Sequence, residues 1–398
     1  MSSHLIFVIR RFWPIQTGAA RTLFWIARGL RAGGYRVTVV TPRWTEDWPA
    51  EFMLDEVRVI RPSEGVTDWR SVRRFARRVY SLLRSGTERI DGVFVSGLRE
   101  EAQAAVRAVG GRVPVVLRAE RSGPEGDCSW QARRLGGRRL RRVCATADAV
   151  LAPSELIYEE LLAAEYDPAK TFCFPHGVPL APPPDRGDRE ESRLALARAE
   201  PVAATTARTA LVVYLGSLAK NKNLPVLLDA WGALYREKRS ARLWLAGDGP
   251  KRYNLLRQAR GMGMETRVLL PGSFSDVDDL LKAAHLLVQP SADDCMSVAV
   301  LEAMAFHRPV IAADSPGNRE IITHDETGLL FRADSPVALA QSLARVLTDD
   351  LLAERLAKAG RKQVEARFSA EAMIETHGRL WERLLRTRDV GNLAVDSA

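Results

Sequence analysis

Glu302 stands in the run Ser297-Val298-Ala299-Val300-Leu301-Glu302-Ala303-Met304-Ala305-Phe306, where every other residue after Ser297 is apolar. A helix that is apolar all round is a buried helix, and a carboxylate inside one is costly unless something pairs with it. Eight residues earlier the polar loop Ser291-Ala292-Asp293-Asp294 carries a second acid, Asp294. A loop acid, a helix start and an acid two turns on make a candidate ligand site. The uncapped N–H groups of such a helix start offer a seat for an anion. The residues alone leave a plainer reading open, a core helix whose glutamate caps a neighbouring loop.

Three more loops have chemistry suited to a phosphate ligand. Gly216-Ser217-Leu218-Ala219-Lys220-Asn221-Lys222-Asn223 combines a glycine, which permits close backbone approach, with lysines just before a helix. Gly247-Asp248-Gly249-Pro250 reads as a tight turn into a helix with proline near its start. Asp314-Ser315-Pro316-Gly317-Asn318-Arg319-Glu320 is a further polar turn. Each is weak alone; their order along one half of the chain carries more weight.

Positioning these loops requires strands, and the apolar runs supply them. In the first half, strands are expected near Leu5–Ile9, Arg36–Thr41, Val57–Ile60, Gly92–Val95, Val113–Leu117, Ala149–Ala152 and Thr171–Phe174. In the second half they fall near Leu211–Leu215, Arg242–Ala246, Val268–Leu270, Leu286–Gln289, Val310–Ala313 and Leu329–Phe331. Helical patterns between them, such as Ala19–Leu30 and Ser154–Ala164, imply an α/β fold of parallel sheets covered on both faces. Ligands in such sheets bind beyond the carboxyl ends of the strands. Residues 181–208, opening with three prolines, read as a linker between domains at 1–180 and 209–368. Residues 369–398 read as a helix that packs back, plus a tail.

Composition narrows the partners. The 398 residues are 46% hydrophobic and 27% charged, typical of a soluble protein of two domains. No run approaches membrane-spanning length, and the start of the chain reads as a first strand and not a signal peptide. The four cysteines have no metal spacing, so reduced thiols and a cytoplasmic location are expected. Residues 1–150 hold 27 arginines, no lysine and 15 acids, a net +12, so the rest nets −3 of the total +9. Arg70, Arg73, Arg74, Arg77 and Arg78 alternate with Val72, Phe75, Ala76 and Val79 as an amphipathic basic helix, and Arg133 to Arg142 form a second cluster. Such helices can lie on anionic membrane; the alternative is a solvated basic surface. No motif for reading nucleic acid accompanies the charge, so no nucleic-acid partner is expected.

Residues 211–331 resemble the donor domain of retaining, family-4 glycosyltransferases of the GT-B fold. The resemblance rests on Gly216 to Lys222, on Leu245-Ala246-Gly247-Asp248-Gly249-Pro250, and on Pro290-Ser291. Leu301-Glu302-Ala303-Met304-Ala305, Arg308-Pro309-Val310-Ile311-Ala312 and Thr327-Gly328-Leu329-Leu330 complete it. The first half agrees more weakly, through Gly18-Ala19, Gly34 to Thr41, Ala147 to Ser154 and His176-Gly177-Val178. The resemblance implies two doubly wound, Rossmann-like domains facing across a cleft. It implies a nucleotide-sugar donor, a glycan or lipid-linked acceptor, and no cofactor or metal. Glu302 would accept hydrogen bonds from the donor ribose, Asp294 would meet the donor sugar, and Lys222 would neutralise the diphosphate. Gly216, Ser217, Gly272, Cys295, the amides of Met296, Ser297 and Val298, and Gly18 would complete the donor site. Arg118 and Glu120 are candidates for the acceptor site, with a surface ion pair as the alternative.

The departures are specific. Ser217 replaces a usual arginine, Asp294 a usual glutamate, and Cys295-Met296-Ser297 a usual glycine-aromatic-glycine. His307 replaces a glycine, and His176 replaces an asparagine in what reads as a turn. These changes imply a different donor sugar or a weakened enzyme. A non-catalytic protein that binds a nucleotide sugar or a partner transferase, and a sugar-nucleotide epimerase of the same architecture, are the rival readings.

Overall fold

A computed structural model describes residues 2–15, 17–199, 209–235, 241–274 and 276–395. The chain divides into two compact units, residues 1–176 with 370–398, and residues 177–369. The first unit holds β1 (His4–Val8), β2 (Arg36–Val40), β3 (Glu51–Leu54), β4 (Val57–Ile60), β5 (Gly92–Ser96), β6 (Val115–Arg118), β7 (Ala149–Ala152) and β8 (Thr171–Cys173). They form one sheet in the order β3-β4-β2-β1-β5-β6-β7-β8. All neighbours are parallel except β3 and β4, which pair as an antiparallel hairpin.

The second unit holds β9 (Ala210–Leu215), β10 (Ala241–Ala246), β11 (Val268–Gly272), β12 (Leu286–Gln289), β13 (Val310–Ala313) and β14 (Leu329–Phe331). Its order is β11-β10-β9-β12-β13-β14, parallel throughout. The strands are apolar runs because both faces of each sheet are covered by helices. In both sheets the chain winds one way and then the other. The reversal falls between β1 and β5 in the first unit and between β9 and β12 in the second, and such a switch point opens a crevice at the carboxyl ends of the strands.

The helix Ala370–Val395 follows the second unit in sequence but belongs to the first. Met373, Leu380 and Trp381 sit in one core with Leu5, Leu23, Ile26 and Phe94. Glycines let it approach closely: a Cβ on Gly29 would overlap Ile374, and one on Gly92 would press on the Trp381 ring.

The stretch 181–208, expected as a linker, contains the helix Arg186–Ala199, packed against the helix Asp278–Ala283. The three prolines dominated the sequence pattern, whereas the Arg, Glu, Leu and Ala that follow are good helix formers. Residues 200–208 lie outside the described residues. The second departure is β3, which no sequence pattern signalled. Its alternate residues are exposed, and its turn uses Asp55 and Glu56 at φ 43° and 64° in place of the glycine that marks most such hairpins.

None of the four cysteines forms a disulfide. No helix among the described residues is long and apolar enough to cross a membrane.

Candidate functional site

The switch point of the second unit collects most of the residues that the sequence singled out. After β9 the chain turns at Gly216, φ 154°, whose N–H donates to the Ala246 carbonyl (3.0 Å). Gly247, φ 146°, donates in turn to the Gly272 carbonyl (2.7 Å), so the loops after β9, β10 and β11 are laced backbone to backbone. A Cβ on Gly247 would overlap the Gly216 oxygen, which is why glycine stands there. The Tyr214 hydroxyl donates to the Ser217 carbonyl (2.9 Å) and fixes the turn from below. Burial beside Asp294 pushes this phenol well above its usual pKa, so it stays a donor. Ser217 itself is exposed.

The β9 loop then forms a short 3₁₀ turn, Lys220–Lys222, and Asn223 adopts the left-handed conformation at φ 52°. Here Lys222 meets Asp294 across the switch point: its Nζ donates to Asp294 Oδ1. The two side chains are 18% and 13% exposed, so their attraction acts largely out of water. Asp294 Oδ2 is buried without a hydrogen-bond partner.

From Asp294 the chain passes through buried Cys295, Met296 and Ser297 into the helix Val298–Ala305. Ser297 occupies the cap position, yet its side chain does not cap. Its Oγ instead accepts from Gln289 Nε2 at the end of β12 (2.9 Å), so the first-turn N–H groups are not covered by it. Glu302 lies four residues after Val298, on the same side of this helix, and is 4% exposed. The helix ends in a left-handed residue, as helices often do. That residue is His307, φ 57°, hydrogen-bonded to Glu354 (2.8 Å). A glycine would hold this conformation without strain.

Two polar side chains at this site were not assigned a role by sequence. Gln289 is 3% exposed and Asn318 fully buried. Asn318 Nδ2 donates to the carbonyls of Ala313 (2.8 Å) and Ser291 (3.3 Å), tying the β13 loop to the Asp294 loop. The same two loops touch at Gly317, where a Cβ would overlap the Asp294 carbonyl oxygen. Gln289 Oε1 and Asn318 Oδ1 are, like Asp294 Oδ2, buried acceptors lacking a donor. Buried polar atoms are nearly always satisfied, and three such acceptors around one loop suit a ligand rich in hydroxyls. Polar residues at the end of an apolar strand were the available signal.

The remaining candidates lie in the first unit. Gly18 opens the helix Gly18–Ala32, whose start Thr17 caps by accepting from Ala20 N–H (3.1 Å). Arg118, at the end of β6, is 1% exposed and donates to Glu120 (2.8 Å) and to the Ala19 carbonyl (3.3 Å). The Arg118–Glu120 pair therefore has a buried cation and a carboxylate 15% exposed, against the alternative of a surface ion pair, because the sheet carries Arg118 over the Phe94 ring. Ser96 also donates to Glu120, and burial raises the pKa of that carboxyl against the pull of Arg118. His176 is buried near Arg118 and His377, which holds its pKa well below the usual value and leaves it neutral.

The basic helix spans Trp69–Arg84. Phe75, Ala76, Val79 and Leu83, the apolar face that membrane contact would use, are buried in the fold, where this helix packs on the helix Glu100–Val109. What remains outside is Trp69, 56% exposed beneath the guanidinium groups of Arg70 and Arg73, with Arg74, Arg77 and Arg78 exposed further along the helix.

Comparison with known proteins matches both halves of the chain. Residues 200–363 match the family described as Glycosyl transferases group 1, and residues 16–181 match Glycosyltransferase Family 4. The chain is 32% identical over 165 residues to the putative glycosyltransferase EpsD of Bacillus subtilis (strain 168), covering 42% of this chain and 43% of that one. It is 29% identical over 164 residues to the alpha-D-kanosaminyltransferase of Streptomyces kanamyceticus, covering 41% and 42%. The match thus spans under half the length of either relative. Among solved structures, a sucrose-phosphate synthase from Thermosynechococcus elongatus superposes with a TM-score of 0.81 at 19% identity, over 97% of this chain and 100% of that one. Anabaena HepE in complex with UDP and glucose superposes with a TM-score of 0.77 at 18% identity, over 95% and 99%. These likenesses establish the GT-B fold. Each half of the chain thus resembles one of two glycosyltransferase families, residues 16–181 the one and residues 200–363 the other.

Proposed function

We propose that this protein moves a sugar from a nucleoside diphosphate to an acceptor hydroxyl, with retention of anomeric configuration. The observation that carries the reading is the Lys222–Asp294 pair across the β9/β12 switch point, beside a helix start and the buried Glu302. In this reading Glu302 accepts from the ribose hydroxyls, and the first-turn amides of the helix Val298–Ala305 hold the diphosphate. Lys222 shifts toward the phosphates as donor binds. Gly216, Ser217 and Gly272 line the path of the nucleotide. Asp294, Gln289 and Asn318 accept hydrogen bonds from hydroxyls of the sugar. The bond from the anomeric carbon to the diphosphate oxygen breaks, with Lys222 countering the charge that develops there. The acceptor oxygen bonds to the same face of that carbon, and its proton passes to the departing phosphate oxygen.

A thermal-shift panel of nucleotide sugars tests this directly, since a ligand that binds only the native state raises the midpoint. One nucleotide sugar is expected to stabilise the protein well above its free nucleoside, and to yield a glycosylated product with an acceptor extract. Stabilisation without product would favour the non-catalytic, nucleotide-sugar-binding protein. No stabilisation by any donor would end both readings.

For the acceptor, we infer a lipid-linked or surface-bound glycan, met at an anionic membrane face. Support comes from Trp69 with its five arginines, and from Leu135, fully exposed among Arg133, Arg134, Arg138 and Arg139. Arg118 and Glu120 are the side chains proposed to face the acceptor hydroxyl. Because the apolar face of the helix Trp69–Arg84 is buried, the attachment would be mainly electrostatic and salt-sensitive. Flotation is expected with vesicles containing anionic lipid at low salt, fading at high salt and in an Arg73→Gln/Arg77→Gln variant. Equal flotation with neutral vesicles would refute it.

A further inference from the structure

At the opposite, amino end of the second sheet lies a group of cations that the proposed transfer does not use. Arg308 directly precedes Pro309 and β13, and it is 1% exposed. Its Nε and Nη2 are buried without a hydrogen-bond partner. β12 and β13 run in register at Leu287 and Val310, so Arg308 stands as far before its strand pair as His285 stands before its own. The helix Arg186–Ala199 brings two more arginines to this end, one turn apart. Arg193 Nη2 reaches His285 Nδ1 (3.1 Å) and the Thr209 carbonyl (3.1 Å). Arg189 has a buried Nε that lacks a partner.

His285 cannot be another cation here. Its Nδ1 accepts from Leu211 N–H (2.9 Å), which places the ring proton on Nε2. Burial and the three arginines hold its pKa down to about 4. The same crowding lowers Arg308 to about 9, with burial the larger cause.

Among the described residues, no acid comes within ion-pair distance of Arg308 or Arg189. The nearby acids are engaged elsewhere: Glu354 with His307 (2.8 Å) and Glu190 with Arg186 (3.2 Å). Removing a charge from water without a counter-charge is strongly unfavourable. Guanidinium donors in a fixed fork match phosphate oxygens especially well. We infer that Arg308, Arg189 and Arg193, with the Nε2–H of His285, form a second anion site that takes a phosphate group. Whether the group is free phosphate or a phosphomonoester, the recognition is the same. The site lies at the end of the sheet opposite Lys222 and the Asp294 loop, so its occupant acts as an effector of the donor unit and is not a reactant.

The test uses the full chain and inorganic phosphate at constant ionic strength, with chloride as control, read by calorimetric titration and thermal midpoint. Phosphate is expected to bind the wild type and raise its midpoint. Arg308→Met is expected to bind ~10- to 100-fold more weakly, the loss of a charged hydrogen-bond donor. In chloride alone it should melt no lower than the wild type, because an unpaired buried charge has gone. Arg189→Gln, a change on a half-buried helix face, should weaken phosphate in the same direction and covers the case in which Arg308→Met does not fold. Lys222→Met should leave the phosphate response intact. An unchanged response in both arginine variants, or its loss in Lys222→Met, would overturn the site and place the ion with the donor. Glycerol 3-phosphate run alongside identifies the source: tighter binding than free phosphate marks an ester, weaker binding the free ion. Failure of this site would leave the transfer reading untouched, since that rests on donor binding.

Discussion

Glu302→Ala is expected to lower kcat/KM for the donor by roughly 100-fold or more. A carboxylate hydrogen bond to a hydroxyl contributes about 1.5–3 kcal/mol, and two ribose hydroxyls on one carboxylate give two such bonds. At about 1.4 kcal/mol per factor of ten, the pair spans two decades or more. Nothing in the neighbouring apolar residues of the helix Val298–Ala305 can substitute, and Glu302 is too buried for water to take its place freely. Glu302→Gln keeps the shape and one acceptor, so it should fall between wild type and alanine. Steady-state kinetics with the donor found in the thermal-shift panel decides the matter. Should Glu302→Ala keep full activity and lose only thermal stability, the glutamate is a packing residue.

Lys222→Met should act on kcat more than on KM. The charge that Lys222 counters is small in the bound donor and grows as the bond to the diphosphate breaks, and interactions made mainly at that point raise kcat. A loss of roughly 100- to 1,000-fold is expected, in the range seen when one such electrostatic partner is removed. The variant also strands Asp294, whose Oδ2 already lacks a partner, so it should be less stable as well. Adding Asp294→Asn removes that stranded charge. The double variant should regain stability without regaining kcat, which separates chemistry from folding. A single variant with wild-type kcat would remove Lys222 from the mechanism.

Much of the fold was legible because parallel strands buried on both faces are plain apolar runs. Val57–Ile60, Ala149–Ala152, Leu286–Gln289, Val310–Ala313 and Leu329–Phe331 appear with the ends that the sequence suggests. β3 was not legible, since an edge strand with Glu51 and Met53 outward carries half the apolar signal and an unusual turn. The helix Arg186–Ala199 was masked by the prolines before it. At the site, Glu302 announced itself as a charge in apolar company, and Lys222 and Asp294 through their loops. Their ion pair could not be read, because it joins residues 72 positions apart through a strand order that sequence does not display. Gln289 and Asn318 were silent for another reason. A polar residue ending a strand is ordinary until burial shows an acceptor oxygen with no donor.

The helix Ala370–Val395 carries a consequence for how the protein comes off the ribosome. The second unit is one continuous stretch, residues 177–369, whereas the first is assembled from residues on either side of it, 1–176 and 370–398. Trp381, fully buried among residues of β1 and β5, is synthesised after the second unit is complete. Truncating a buried tryptophan costs about 3–5 kcal/mol, a large part of the stability of an ordinary domain. The nascent first unit therefore keeps an open apolar flank until residues 370–395 are made, and the two units are completed in the reverse of their order along the chain.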